Sequence, residues 1–341
     1  MKKQTRTLVV LAALVAVCLG GSFALKGWNQ AREEGEHTYL ARLSDVDRLT
    51  FDKDGLEMSF TRDGEGLWTY DGDGAFPVDG DDLDAIAQLF ESLEAQKVIA
   101  QPEPLSSYGL DEPRRTVTAE SPGGSVTLLL GDEAEENRYA LVEGEEGTVY
   151  TIASDLFEKT DCTRLQLGQP EQLPSLKEEN LEAVELSAGG RTVSLTKTAR
   201  TETVETGEND QEGSPITQEL TQYTWYLDGA ELPRDSQAVD DLLSALAQLS
   251  FTQCLAYKSA QEELDSMGLA GTGGTLTLTV TYGGGQELTL LCGLTTGEES
   301  DDVYAMQEGS DMVHALSASA ADTLTSLLEA DWTAVPEDSE E

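Results

Sequence analysis

The stretch that decides the fold is PVDGDDLDAIAQLFESLEAQKVIAQPEPLSSYGLDEP, residues 77–113. It opens on a proline, passes acidic residues suited to a helix cap, and runs through a helix-periodic segment and a short strand. It closes on Tyr108-Gly109-Leu110-Asp111-Glu112-Pro113. A second version begins at Pro233 and ends at Met267-Gly268-Leu269. With the two prolines aligned, Leu83 falls on Val239, Ile86 on Leu242, Phe90 on Leu246 and Leu93 on Leu249. Those positions recur at i, i+3, i+7 and i+10, the rhythm of a helix with one buried face. The chain therefore reads as a duplicated unit.

Working outward, the same strand order surrounds both copies. Residues 46–51 and 56–61 alternate around Asp52-Lys53-Asp54-Gly55, a hairpin pattern. Trp68-Thr69-Tyr70 then leads into Asp71-Gly72-Asp73-Gly74, and Asp79 or Asp81 caps a helix predicted over residues 82–96. Strands are predicted over 97–100, 116–119, 126–130, 138–142 and 148–152, with a short helix from Ser154. In the second half, residues 183–186 and 192–195 flank Gly189-Gly190, and Trp225-Tyr226-Leu227-Asp228-Gly229 restates Trp68 to Gly72. Strands over 276–281, 287–291, 303–306 and 312–316 follow, then a helix over 319–329. Residues 201–220, rich in Thr, Glu and Gln, have no counterpart and read as a solvated loop.

Helices set apart from runs of period-2 strands argue for an α+β fold. The expected architecture is two tandem repeats of a strand-rich unit after an N-terminal transmembrane helix. Each repeat is an antiparallel sheet with one main amphipathic helix. The expected boundaries are a membrane anchor and spacer at 1–38, a first repeat at 39–164, a linker at 165–178, a second repeat at 179–334 with the loop insertion 201–220, and an acidic tail at 335–341.

Charge narrows the partners. The formal net charge is −44, yet five of the 21 basic residues lie before Glu33 and no acid does. Beyond Arg32 the balance is 16 basic against 65 acidic residues, or −49, a surface that repels phosphate backbones and excludes nucleic acid as a partner. Adaptation to high salt would give a similar balance. At the N-terminus, Lys2, Lys3 and Arg6 precede an apolar run over residues 8–25. About 18 such residues reach about 27 Å as a helix, enough to span a hydrocarbon core, with the basic flank in the cytoplasm and the bulk outside. A cleaved secretory signal with Ser22-Phe23-Ala24 near the cut is the competing reading, and it exports the chain equally.

Candidates for chemistry are few. Three cysteines outside the apolar run, Cys162, Cys254 and Cys292, form no disulfide framework and no zinc spacing, and a bridge between Cys254 and Cys292 stays open. His37 lies near the expected membrane surface, and His314 takes the place of Tyr150 in the repeat, which suits a packed strand residue. Ser194 and Lys197 have an S-x-x-K spacing, but the alternation around them predicts strand where that chemistry needs a helical turn. Asp71-Gly72-Asp73-Gly74-Ala75 lacks the fifth-position oxygen and twelfth-position glutamate of a calcium loop, so turn chemistry is the reading, with weak calcium binding by the clustered carboxylates as the competing one. Gly283-Gly284-Gly285 leads from strand to strand, with no helix N-terminus for a phosphate. Trp68, Tyr70, Trp225 and Tyr226 recur at matching positions and read as core anchors, with sugar stacking as the competing role. Gly109 and Gly268 suit positive φ. No catalytic, cofactor-binding or metal-binding residue is assigned, and the chain is read as no enzyme.

Trp68-x-Tyr70-Asp71-Gly72, Pro77-Val78-Asp79, Leu89-Phe90-Glu91-Ser92-Leu93, Tyr108 to Pro113, Leu128-Leu129-Leu130-Gly131-Asp132 and Val149-Tyr150-Thr151-Ile152 resemble an uncharacterised bacterial family. That family is known only as a domain of unknown function in membrane-anchored envelope proteins, often encoded beside ABC-type transporter components of the gliding-motility type. The resemblance covers residues 46–159. In the second half, Ser266-Met267-Gly268-Leu269 lacks the tyrosine, and Leu294 replaces the aspartate after glycine. The resemblance implies a non-catalytic accessory outside the membrane and supplies no catalytic residues. The expected function is an anchored ectodomain that carries no cofactor and binds a protein partner in an envelope assembly of the ABC-transporter type. The alternative is an envelope polymer-binding module or hydrolase using surface carboxylates or tryptophans.

Overall fold

Asp79 begins the helix at the centre of the first repeat, as its side chain accepts a hydrogen bond from the Asp81 amide at 3.0 Å. The computed structural model describes residues 37–209, 215–270, 275–297 and 300–335. It divides into two compact units, residues 1–163 and 164–341. The predicted anchor at 8–25 and the tail from Pro336 onward lie outside the described residues. Among the described residues no helix is long and apolar enough to cross a membrane.

The first unit comprises β1 (Tyr39–Ala41), β2 (Arg48–Lys53), β3 (Leu56–Arg62), β4 (Trp68–Tyr70), α1 (Gly80–Leu89), β5 (Leu93–Glu94), β6 (Lys97–Ile99), β7 (Arg115–Ser121), β8 (Gly124–Ala134), β9 (Asn137–Val142), β10 (Val149–Ala153) and α2 (Asp155–Thr160). Strands β1 and β5 pair separately, and the rest form one sheet in the order β4-β3-β2-β7-β8-β9-β10-β6. The helix is shorter than the predicted 82–96. Phe90 caps it, its amide reaching back to the Ala87 and Gln88 carbonyls, and Leu93 is buried from a strand instead.

The second unit comprises β11 (Leu181–Ala188), β12 (Arg191–Asn209), β13 (Pro215–Leu227), β14 (Ala230–Glu231), α3 (Gln237–Gln248), β15 (Phe251–Tyr257), α4 (Gln261–Ser266), β16 (Leu276–Tyr282), β17 (Gln286–Thr295), β18 (Asp302–Gln307), β19 (Met312–Ser317) and α5 (Ala318–Ser326). Its sheet runs β14-β13-β12-β11-β16-β17-β18-β19-β15. Without β14, this is the first unit's order strand for strand. The duplication read from the helices holds for the whole fold.

Residues 201–220 are a correction. Their described part is no loop but the far half of a long hairpin, with β12 and β13 paired from Leu195↔Leu227 out to Asn209↔Pro215. Beyond Thr196, β12 pairs with β13 alone among the described residues. Threonine, β-branched at Cβ, favours the extended backbone, and the segment is rich in it.

Each sheet buries its main face under its helices. Leu83 and Ile86 of α1 are buried with Phe51, Phe60 and Leu130; Val239, Leu242 and Leu246 of α3 join Leu186, Leu195 and Leu290. A smaller cluster forms where strand residues meet the segment that crosses the sheet: Leu141 and Val149 with Tyr108 and Leu110 in the first unit, and Met306 and Val313 with Leu269 in the second. A close backbone approach makes that cluster possible. A Cβ on Gly131 would lie 2.1 Å from the Tyr108 carbonyl oxygen, and one on Gly293 would lie 2.1 Å from the Met267 carbonyl oxygen. Gly109 and Gly268, at φ +66° and +75°, turn the chain into Leu110 and Leu269.

The Cys254–Cys292 bridge is excluded. Cys292 pairs with Ala305, Ala305 with His314, and His314 with Cys254, so three strand spacings separate the thiols. At about 4.8 Å each, this is about twice the Cα separation a disulfide tolerates. Both thiols are free and buried.

Gly131→Ala is expected to destabilise the first unit by about 3 kcal/mol, because backbone rather than a flexible side chain must move. Gly64→Ala, with nothing within 4 Å of the new methyl, leaves stability unchanged. Urea unfolding of both variants checks this.

Candidate functional site

The sequence candidates are engaged structurally. Ser194 and Lys197 lie on β12, where residues three apart face opposite sides of the sheet. Ser194 Oγ donates to Glu185 at 3.1 Å, and Lys197 donates to the Glu178 carbonyl. Asp71 accepts from Ser59 Oγ at 2.8 Å and pairs with Arg48 at 3.1 Å, while Asp73 accepts from the Ala75 amide at 3.1 Å. The amides of Gly284 and Gly285 do bind an anion, but it is the chain's own Glu182, at 2.6 and 3.2 Å. Trp68 and Trp225 are 3% and 5% exposed, and their indole N–H groups donate to Asp84 at 2.8 Å and Glu178 at 3.0 Å. Tyr70 and Tyr226 are half-buried.

His37 bonds Glu94. His314 is fully buried, stacked on Phe251 at 4.2 Å, with Nε2 3.2 Å from Glu171, which also accepts from Ser310 Oγ at 2.7 Å. Burial holds this imidazole below its ordinary 6.5, against the opposing pull of Glu171 and the Gln253 backbone. Burial also pushes the Cys254 and Cys162 thiols up to about 11 and Cys292 to about 12, which leaves them protonated and poor nucleophiles. Among the described residues no group of three or more His, Cys, Asp or Glu side chains is placed to hold a metal.

The constellation that motif reading missed sits where β7, β8 and β9 meet α2. Arg114, Asp132, Glu133, Arg138 and Phe157 line an open cleft of about 620 Å³. Arg138 lies 3.8 Å over the Phe157 ring, and Arg115 lies 5.0 Å from it. Arg138 donates to Glu133 at 2.8 Å, and Arg114 Nε donates to Asp132 at 2.8 Å. Arg115, only 3% exposed, donates to the Asp52 carbonyl at 2.6 Å and to Asp161 at 2.8 Å. The Nε atoms of Arg115 and Arg138 are buried without a hydrogen-bond partner. Lys53 pairs with Asp161 at 3.1 Å, and Lys53 first, with Arg115, holds that carboxyl below the usual 3.8.

The repeat itself carried the signal for this cluster. Strand register equates Leu130 with Cys292 and Ile152 with Leu316, and the two units share the irregularity that pairs Glu133 with Arg138 and Thr295 with Val303. Arg114, Arg115, Asp132, Glu133, Arg138 and Phe157 therefore correspond to Thr275, Leu276, Leu294, Thr295, Val303 and Ala321. Every charge in the cluster has an uncharged counterpart.

Fold and cleft together define a duplicated, strand-rich α+β protein in which one sheet order carries two different surfaces. The chain belongs to the family described as "Domain of unknown function (DUF4340)", which it matches over residues 68–226 and again over residues 225–334. Both matches open on the equivalent tryptophans, Trp68 and Trp225. No curated protein and no solved structure matches the chain.

Two pH dependences follow. The folded-state pKa of His314 is depressed, so the stability it contributes is complete above about pH 6.5 and is lost as pH falls through that value toward the folded one. Urea midpoints measured against pH should show this slope, and His314→Gln should flatten it. Asp161 is also depressed, so its contribution is present above about pH 4 and is lost as pH falls through the lower folded value. Asp161→Asn is expected to cost about 1–2 kcal/mol at neutral pH, since it takes a charged partner from a buried arginine, and the variant and wild type should converge in acid.

Proposed function

We propose that this chain works without catalysis, as a membrane-anchored extracytoplasmic protein that binds a protein partner in an envelope assembly of the ABC-transporter type. The observation that carries the reading is the β12–β13 ribbon. From Thr198 to Asn209 it is twelve residues long, about 40 Å at strand rise, and among the described residues no strand pairs with either of its outer edges. Its described side chains from Thr198 to Thr203 and Gln218 to Gln222 are exposed. A lone two-stranded ribbon is marginal in water, and free strand edges are templates for another chain. Residues 198–224 hold six acids against one base, Arg200, so a basic surface suits them. The first unit spans the equivalent point with the five-residue turn 63–67, so the fold itself does not require the ribbon.

The tryptophan version of the alternative loses its support, because stacking on a polymer needs exposed rings and both indoles are buried. The carboxylates Asp84, Asp132 and Glu133 that line clefts of the first unit are held in ion pairs with arginines.

Crosslinking in native membranes tests the proposal, with residues 198–224 replaced by the sequence of residues 63–67. The full chain should fractionate with membranes and yield adducts with transporter components. The shortened chain should stay in the membrane fraction, keep its unfolding midpoint and lose the adducts. Recovery of the full chain alone after efficient crosslinking would overturn the partner assignment, and its release into the soluble fraction would overturn the anchor.

A further inference from the structure

We propose that the cleft of the first unit is a binding site for a small carboxylate ligand with an apolar body. This holds whether or not the chain is anchored or partnered. The second unit provides the comparison. Leu276, Val303 and Ala321, which stand for Arg115, Arg138 and Phe157, are 4%, 6% and 6% exposed and belong to one apolar core. The same sheet and helix therefore close well with no charge at these positions. Burying an ion pair where apolar residues serve is seldom a gain in stability, so the arginines of the first unit need a reason other than folding.

Their geometry supplies one. The Arg138 guanidinium carbon lies 3.8 Å over the Phe157 ring and its Nη1 reaches the Gly131 carbonyl at 3.5 Å, which positions a planar donor at the cleft wall. Arg114 has a side chain 63% exposed, and only its Nε is bonded among the described residues, which leaves both Nη groups available. The acids that pair with these arginines face solvent, Glu133 at 72% and Asp132 at 47% side-chain exposure, and exposed ion pairs are weak enough for an incoming anion to displace them. A guanidinium fork fits carboxylate and phosphoryl oxygens alike. Charge decides between them. Asp132, Glu133 and Asp161 lie within this cluster, and their repulsion doubles for a dianion, whereas a monoanion pays it once. Phe157 gives the apolar wall that the body of the ligand covers. The cleft is of a size usual for small-molecule sites, about 300–1,000 Å³.

The test uses the full chain in detergent and three probes built on one ring: benzoate, phenyl phosphate and benzamide. Ligand-observed NMR titration should give half-saturation by benzoate at about millimolar concentration, as suits a fragment of this size. Phenyl phosphate and benzamide should bind at least about tenfold more weakly. The double variant Glu133→Thr/Arg138→Val installs the residues of the second unit. It should keep or raise the thermal midpoint while benzoate affinity falls at least about tenfold, and Arg114→Thr, at an exposed position, should weaken benzoate without touching the midpoint. Absence of saturable benzoate binding overturns the site. Undiminished benzoate binding by a folded variant overturns the role of the arginines, and tighter phenyl phosphate binding overturns the carboxylate assignment.

Discussion

Both units depend on a carbonyl oxygen resting against a glycine. Tyr108 and Met267 bring their main chains so near β8 and β17 that the space for a side chain at Gly131 and Gly293 is already filled. The contact clamps the crossing segment to the sheet face remote from the main helix. It also sets the height at which Leu110 and Leu269 meet Leu141 and Met306. Burial of a large apolar group brings about 1.5–3 kcal/mol, but only if the backbone can come this close first. The neighbours have diverged, Tyr108 to Met267 and Asp132 to Leu294, while the approach distance is the same. The constraint therefore lies in backbone sterics, and side chains around it are free to vary.

That freedom explains how one sheet order hosts two interiors. Where β7, β8 and β9 meet α2, the first unit places a guanidinium stack and its carboxylates. At the matching place the second unit continues its hydrocarbon core. The arginine arrangement depends on partial satisfaction: Arg115 has the Asp52 carbonyl and Asp161, yet its Nε is left without a partner. Desolvating such a group is repaid only when every donor is used. The first unit thus holds an unfinished hydrogen-bond network beside open solvent, whereas its counterpart is closed and dry.

Much of this architecture was legible because half-buried strands alternate and the main helices keep their period; the four residue pairs aligned from the prolines are all buried. Two features escaped for opposite reasons. The described side chains of the β12–β13 ribbon from Thr198 to Thr203 and Gln218 to Gln222 are exposed, so no alternation of apolar and polar residues marks them, and the Thr and Glu content mimics a loop. The cleft contains no spacing motif, since Arg114 just before β7, Asp132 of β8, Arg138 of β9 and Phe157 of α2 meet only through register. Subtraction of one repeat from the other exposes both at once: a lengthened hairpin in the second, extra charges in the first. Motif searches ask what a stretch resembles, whereas a duplicated chain also states what the fold can do without.

The two additions fall in different copies, and this bears on what each is for. Had the arginine cluster been needed for folding, the second unit would have had to keep it or replace it with another polar network. Had the ribbon been needed, the turn at residues 63–67 could not stand in its place, held as it is by two amides on the Asp63 carboxylate at 2.9 Å. Each unit thus demonstrates the dispensability of the other's special feature under the same topology. Stability is discharged by the shared parts, the glycine contacts, the buried tryptophans and the helix-covered face. What is unshared does no work for the fold, and it is there that the proposed ligand of the cleft and the proposed partner of the ribbon would act.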